Sequence, residues 1–264
     1  MEQIDSIHNP RLKNVAALSA KSSLRREQGL FVVEGRREIE RALASGFAAE
    51  EIYFCPEILP ESELGPLASA TGSIFCLSNK AYAKIAYREG TEGAVALMRT
   101  PQRSLSDLNL PQDALVIVLE SVEKPGNLGA ILRSADASGA AAVIVCDPLT
   151  DIFNPNVVRA STGAVFTVPT VACTSSAAAQ FLSSRGFKIV TAQLQDSRVY
   201  YDVDFTRATA IVFGTESTGL TPFWRERSDA KIMIPMMGRM DSLNVATSVA
   251  ILSYEALRQK NTRK

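Results

Sequence analysis

The second half of the chain alternates short apolar runs with longer stretches in which apolar residues recur every three or four positions. The runs at 114–120 (ALVIVLE), 142–146 (AVIVC), 188–193 (KIVTAQ), 210–214 (AIVFG) and 231–235 (KIMIP) are rich in β-branched residues and almost free of charge. Parallel strands buried on both faces need runs of this kind. Around them the spacing predicts helices over 127–138, 154–164, 175–185 and 244–259. Strands and helices alternate, so the expected fold is α/β, with an open, mostly parallel sheet.

The first half predicts a second, smaller α/β unit. A helix is expected over 10–28 and a strand at 31–33. A helix follows over 36–45, where Ile39 and Leu43 fall one turn apart and Gly46 ends the element. Strands are expected at 51–55, 73–77 and 93–99, and helices over 62–70 and 79–86. The stretch 101–113, PQRSLSDLNLPQD, has two prolines and no long apolar run, which suits a linker. The expected division is therefore 1–105, a linker at 106–113, and 114–264.

Composition narrows the class. The chain has 264 residues, 46% hydrophobic and 21% charged, enough to bury a core without staples. Lysine plus arginine equal aspartate plus glutamate at 28 each, which excludes a polybasic, histone-like protein. Charge is nevertheless uneven. Between Ile7 and Arg37 stand seven basic residues, Arg11, Lys13, Lys21, Arg25, Arg26, Arg36 and Arg37, against Glu27 and Glu34. A local basic face can contact phosphates whatever the net charge. The four cysteines form no CxxC pair and lie in or beside apolar runs, so buried thiols in a reducing compartment are expected. One histidine, His8, leaves no zinc set and makes a poor general base in its polar stretch. No secretory or membrane-spanning segment is expected.

Three segments carry candidate chemistry. Residues 125–136, PGNLGAILRSAD, follow a strand and open a helix; Asn127 is placed to cap it, Gly126 to tighten the turn, and Arg133 lies one to two turns on. A plain capped helix with a surface arginine accounts for that segment as well. Residues 211–220, IVFGTESTGL, end a strand in a loop framed by glycines. Glu216 in that loop could order it or orient an arginine. The loop lacks the lysine of a triphosphate-binding loop, and no GxG occurs for a dinucleotide fingerprint. Residues 234–250, IPMMGRMDSLNVATSVA, lead from a strand into a helix that Ser242 or Asn244 can cap, with small residues over its first turns. In an open sheet these loops would share one edge, the edge where ligands bind.

Taken in order, these segments resemble the three signature motifs of the SpoU (TrmH-type) RNA 2′-O-ribose methyltransferases of the SPOUT superfamily, over about 114–259. Residues 4–43 are similar to the opening of the substrate-binding domain often fused to such enzymes, an α/β unit related to RNA-binding ribosomal proteins. The resemblance implies a deep trefoil knot, S-adenosylmethionine held bent in the knot loops, no metal, and a homodimer with active sites at its interface. It implies catalytic roles for Asn127, Arg133, Glu216, Ser242 and Asn244. Cofactor contacts would come from Gly214, Gly219, Ile234, Met236 and Leu243, and from Thr191 and Ala192 at an earlier strand end. RNA would meet Arg11, Lys13, Arg25, Arg26 and Arg36, and Arg159 in the segment NPNVVRASTGAVF. The expected activity is cytoplasmic, on ribosomal RNA ahead of transfer RNA. A non-catalytic RNA-binding assembly factor is the alternative. The proton acceptor stays open between Arg133 with an RNA phosphate and a purely electrostatic role for Arg133. Trp224, Tyr200 and Tyr201 read either as base-stacking or as core and rim aromatics.

Overall fold

The apolar runs of the N-terminal half become a five-stranded mixed sheet. In chain order its unit comprises β1 (Glu2–Ile4), α1 (Pro10–Ala20), α2 (Ser22–Gln28), β2 (Leu30–Glu34), α3 (Arg36–Ala44), β3 (Ala49–Phe54), β4 (Ile74–Leu77), α4 (Asn79–Ile85) and β5 (Ala94–Arg99). The strand order is β1-β4-β3-β5-β2, with β5 antiparallel to both neighbours. Leu12, Val15 and Leu18 line one stripe of α1 and pack on Val32, Tyr53, Val95 and Leu97. The structure is a computed structural model and describes residues 2–87, 92–240 and 242–262. Asp241 of the third motif lies outside the described residues.

Two elements of this unit depart from the expected pattern. The single helix over 10–28 is broken at Lys21, whose backbone is extended (φ −117°, ψ 112°). Arg25 turns back from α2 and donates to the carbonyls of Leu18 (2.5 Å) and Ser19 (3.4 Å). It satisfies the C-terminal carbonyls that α1 leaves open. The helix expected over 62–70 is instead two short 3₁₀ turns, Glu61–Glu63 and Gly65–Ser69. Pro66 has no N–H to extend a helical ladder there.

The expected linker is ordered. Asp107 accepts from the backbone N–H (2.7 Å) and hydroxyl (2.8 Å) of Ser104, and Leu108 is buried.

The second half holds β6 (Leu115–Glu120), α5 (Pro125–Ser138), β7 (Ala142–Cys146), α6 (Pro155–Ser161), α7 (Ala164–Thr167), β8 (Thr170–Cys173), α8 (Ser175–Ser184), β9 (Lys188–Ala192), β10 (Arg198–Val199), β11 (Thr209–Phe213), α9 (Pro222–Glu226), β12 (Ala230–Met233) and α10 (Val245–Thr262). Chain contacts divide the molecule into two units. The first runs through Gln102 and includes Phe153–Thr167; the second takes Arg103–Ile152 and Val168 onward. Within the first unit Phe153 stacks on Phe31 at 4.3 Å between centroids, and Phe166 meets Phe47 edge-on at 5.2 Å. The helix expected over 154–164 is interrupted at Thr162 (φ 48°) and Gly163 (φ 94°).

The second unit carries a seven-stranded sheet, β10-β12-β9-β11-β6-β7-β8, parallel throughout. Strands β6, β7 and β11 are buried at every position, the state that their uninterrupted apolar sequences require. Because all strands run one way, the loops after β6, β9, β11 and β12 leave from the same edge. The four thiols are not uniformly buried: Cys55 and Cys146 are, Cys76 and Cys173 only partly. Among the described residues no helix is long and apolar enough to cross a membrane.

Candidate functional site

At the carboxyl edge of this sheet three loops enclose a cavity of about 310 Å³. Its wall comes from residues 192–195 at the end of β9, 213–220 at the end of β11, and 232–234, 236, 242 and 243 at and after the end of β12, closed by Val245, Ser248 and Leu252 of α10 and by Arg225 of α9. Volumes of this order hold small organic ligands.

The loop after β11 folds back on itself. Thr215 and Gly219 exchange backbone hydrogen bonds (3.2 and 3.1 Å), with Gly219 at φ +68°. A Cβ on Gly214 would overlap the carbonyl of Gly219 and the nitrogen of Leu220. Glycine at 214 is therefore a steric requirement of the loop closure, and it leaves bare backbone facing the cavity. Glu120, buried at the end of β6, pins the exit of the loop by accepting from the Thr221 backbone (2.9 Å) and hydroxyl (2.6 Å).

Beside the cavity the three sequence segments meet at one carboxylate. Glu216 accepts from Asn127 Nδ2 (2.8 Å) and Asn244 Nδ2 (2.6 Å), and pairs with Lys124. Asn244 Nδ2 also reaches Asn127 Oδ1 (3.2 Å). The Lys124 ammonium first, then the Asn127 amide and the Val245 backbone N–H, hold Glu216 below the usual carboxylate range. The same pair raises Lys124. The helices behind these residues, α5 and α10, pack along one another.

Asn127, Glu216 and Asn244 are brought together. Asn127 does not cap α5: the helix begins at Pro125, and Asn127 spends its side chain on Glu216. Gly126 is not needed for a tight turn, since a Cβ there meets nothing within 4 Å. Asn244 does cap α10, with Oδ1 accepting from Ala246 N at 3.0 Å. Glu216 orients a lysine rather than an arginine. Arg133 lies further along α5, exposed, with no hydrogen bond or ion pair among the described residues. Ser242 is exposed on the cavity rim. Ala192, Gly214, Gly219, Ile234, Met236 and Leu243 line the cavity. Thr191 does not: it is fully buried inside β9.

The basic face of the first unit is smaller than expected. Arg25 is 3% exposed and belongs to the helix break, so it leaves the face. Arg11 pairs with Glu51 and lies over the Phe75 ring; Arg36 pairs with Glu40 (2.8 Å) and Glu63 (3.7 Å). Lys13 and Arg26 are exposed and unpaired among the described residues. Arg159 donates to Asn156 Oδ1 (2.7 Å) and stacks on Tyr87. Trp224 is a core residue, fully buried, with Nε1 donating to Ser175 Oγ at 3.1 Å; Tyr201 is exposed beside Tyr200.

Sequence reasoning missed Lys124, Glu120 and Arg225. Glu120 left one usable sign, a lone charge ending an apolar strand. Lys124 and Arg225 stand just outside the motifs, where nothing in the local pattern singles them out.

Both halves of the chain match known proteins. Residues 114–254 match the SpoU rRNA Methylase family, and residues 9–96 match the MRM3-like substrate binding domain. The chain is 30% identical over 255 residues to the 23S rRNA (guanosine(2553)-2′-O)-methyltransferase RlmP of Bacillus subtilis, covering 96% of this chain and 98% of the relative. It is 31% identical over 268 residues to the 23S rRNA (uridine(2479)-2′-O)-methyltransferase of Streptomyces viridochromogenes, covering 96% and 91%. Among solved structures, the AdoMet-bound rRNA methyltransferase of Sinorhizobium meliloti superposes with a TM-score of 0.90 at 28% identity, over 97% of each chain. An RNA 2′-O ribose methyltransferase superposes with a TM-score of 0.84 at 38% identity, over 98% of this chain and 99% of that one. With more than half of its length matched by that family and relatives aligned end to end, the chain belongs to the SpoU rRNA methylase family.

Proposed function

We propose that this chain is an S-adenosylmethionine-dependent 2′-O-methyltransferase of ribosomal RNA. The observation that carries the reading is the meeting of Asn127, Glu216 and Asn244, from three distant segments, beside the cavity after β9, β11 and β12. The cavity fits the cofactor. Gly214 offers backbone at close range, Ile234, Met236 and Leu243 offer apolar cover, and two solvent-shielded polar atoms of the wall, Gln193 Oε1 and Arg225 Nε, have no partner among the described residues. These three loops are the ones that family membership assigns to the trefoil knot.

S-adenosylmethionine supplies a methyl group already activated by a sulfonium leaving group. The chain must then position a ribose hydroxyl and manage its proton. Glu216 is not a free base, because Lys124, Asn127 and Asn244 occupy its oxygens. It acts as the tie that fixes the starts of α5 and α10 around the cavity. Asn244 and Ser242 position the loop over the cofactor. Arg133, unpartnered on α5 among the described residues, serves the phosphate beside the reacting ribose and stabilises the developing oxyanion.

In this reading residues 1–105 form the RNA-binding domain, 106–113 the linker and 114–264 the catalytic domain. Lys13 and Arg26 supply phosphate contacts. The enzyme works as a homodimer, which gives the exposed Met237, Met240 and Tyr254 a cover, and sedimentation should return twice the 28.5 kDa chain mass. A ribosomal substrate implies a cytoplasmic location.

The deciding experiment transfers labelled methyl from S-adenosylmethionine to RNA of cells lacking this chain, followed by digestion to nucleosides. Label in a 2′-O-methylnucleoside of 23S rRNA is expected. Label confined to transfer RNA would move the substrate. Absence of both label and cofactor binding would leave the assembly-factor reading.

A further inference from the structure

Arg225 stands in the cavity wall, on α9 and outside all three motif segments. Its position is fixed by its neighbour. Trp224 is fully buried and bonded to Ser175, which in turn donates to Asp147 at 2.6 Å. The guanidinium lies against the β11 loop, with Nη2 3.6 Å from where a Cβ on Gly219 would sit. Nε is shielded from solvent and unpartnered, and the side chain makes no ion pair among the described residues. Arg36, Arg99 and Arg258, by contrast, each hold a carboxylate. Arg225 is half-buried, and its shielded Nε–H is a charged group's donor with no acceptor among the described residues, an arrangement that suits an anion arriving with the ligand. Glu216 shares the cavity but is committed to Lys124, Asn127 and Asn244. The same wall holds a second unmatched group. Gln193 donates Nε2 to Gln195 O (2.8 Å), which fixes its amide and leaves Oε1 as a shielded acceptor for a ligand N–H.

We propose that Arg225 anchors the carboxylate of the cofactor's amino-acid tail; this rests on the cavity being the S-adenosylmethionine site. Among the groups of that cofactor, adenine, ribose hydroxyls, sulfonium, ammonium and carboxylate, the carboxylate is the one anion. A guanidinium fork matches it in both charge and shape.

The test is calorimetric binding of two ligands to the full chain. S-adenosylhomocysteine keeps the amino-acid tail; 5′-methylthioadenosine replaces it with a methyl group. Arg225→Gln should weaken S-adenosylhomocysteine about tenfold to hundredfold, the range of one charge-assisted contact, and leave methylthioadenosine unchanged. Arg225→Lys, which keeps the charge and loses the fork, should fall between for the first ligand and again spare the second. Equal weakening of both ligands overturns the proposal, as does no change in either. So does unchanged binding of both together with loss of RNA binding, which would give the guanidinium to an RNA phosphate. If the unaltered chain binds neither ligand, the cofactor reading itself fails, a result distinct from all of these.

Discussion

Glu216 works only as a carboxylate, and its surroundings keep it one. Its titration is held below the usual range, so its stabilising contribution is complete above the pH at which a free glutamate titrates. That contribution is lost as pH falls through the lower folded value. Lys124 shows the opposite sign: raised by the same pair, it contributes below the range of a free lysine and loses that contribution as pH rises through its folded value. Glu216→Gln should therefore flatten the acid limb of stability, read as urea midpoints from pH 7 downward. An acid limb identical to the wild type would remove the pair from the account. Arg133 makes the converse case. It holds no neighbour in place, so Arg133→Ala should keep the melting temperature and cofactor affinity and lose most methyl transfer. Wild-type turnover in that variant would end its assignment.

Among the secondary elements, α10 combines two roles at one residue. Asn244 caps the helix through Oδ1 and ties Glu216 and Asn127 through Nδ2. Substitution separates them. Asn244→Ser keeps a good cap, so the melting temperature should stay close to wild type, while turnover falls at least about tenfold. Asn244→Ala should lose the cap as well, at a further cost of about 1 kcal/mol. Scanning calorimetry beside the methylation assay distinguishes the two effects. The strands around this site were legible because burial on both faces leaves no choice of residue: AVIVC at 142–146 is β7 to the residue. Short or half-exposed elements were not. TVAC, which forms β8, is too brief to show a period, and the break at Lys21 has no proline or glycine to announce it. The identities of Asn127, Glu216 and Asn244 were readable from their motifs. Their bonds to one another were not, since spacing along a chain does not say which loop ends face each other.

Over the whole molecule, a net charge of zero hides a small, specific surface. Once Arg25 is assigned to the helix break and Arg11, Arg36 and Arg37 to carboxylates, Lys13, Lys21 and Arg26 remain for phosphate. Each phosphate contact adds a slope of about 0.7 to the dependence of log affinity on log salt for single-stranded nucleic acid. The Lys13→Gln, Arg26→Gln pair should lower the slope for ribosomal RNA by about 1.4 on that scale. A slope equal to the wild type would clear Lys13 and Arg26 of any role. The chain carries a single tryptophan, Trp224, sealed in the core of the second unit. Its fluorescence consequently reports on the second unit and is blind to the first, whereas far-ultraviolet circular dichroism sums over both. Denaturation followed by the two signals together therefore becomes a measure of coupling: coincident curves mean that the units melt as one cooperative body, and separated curves give each its own stability.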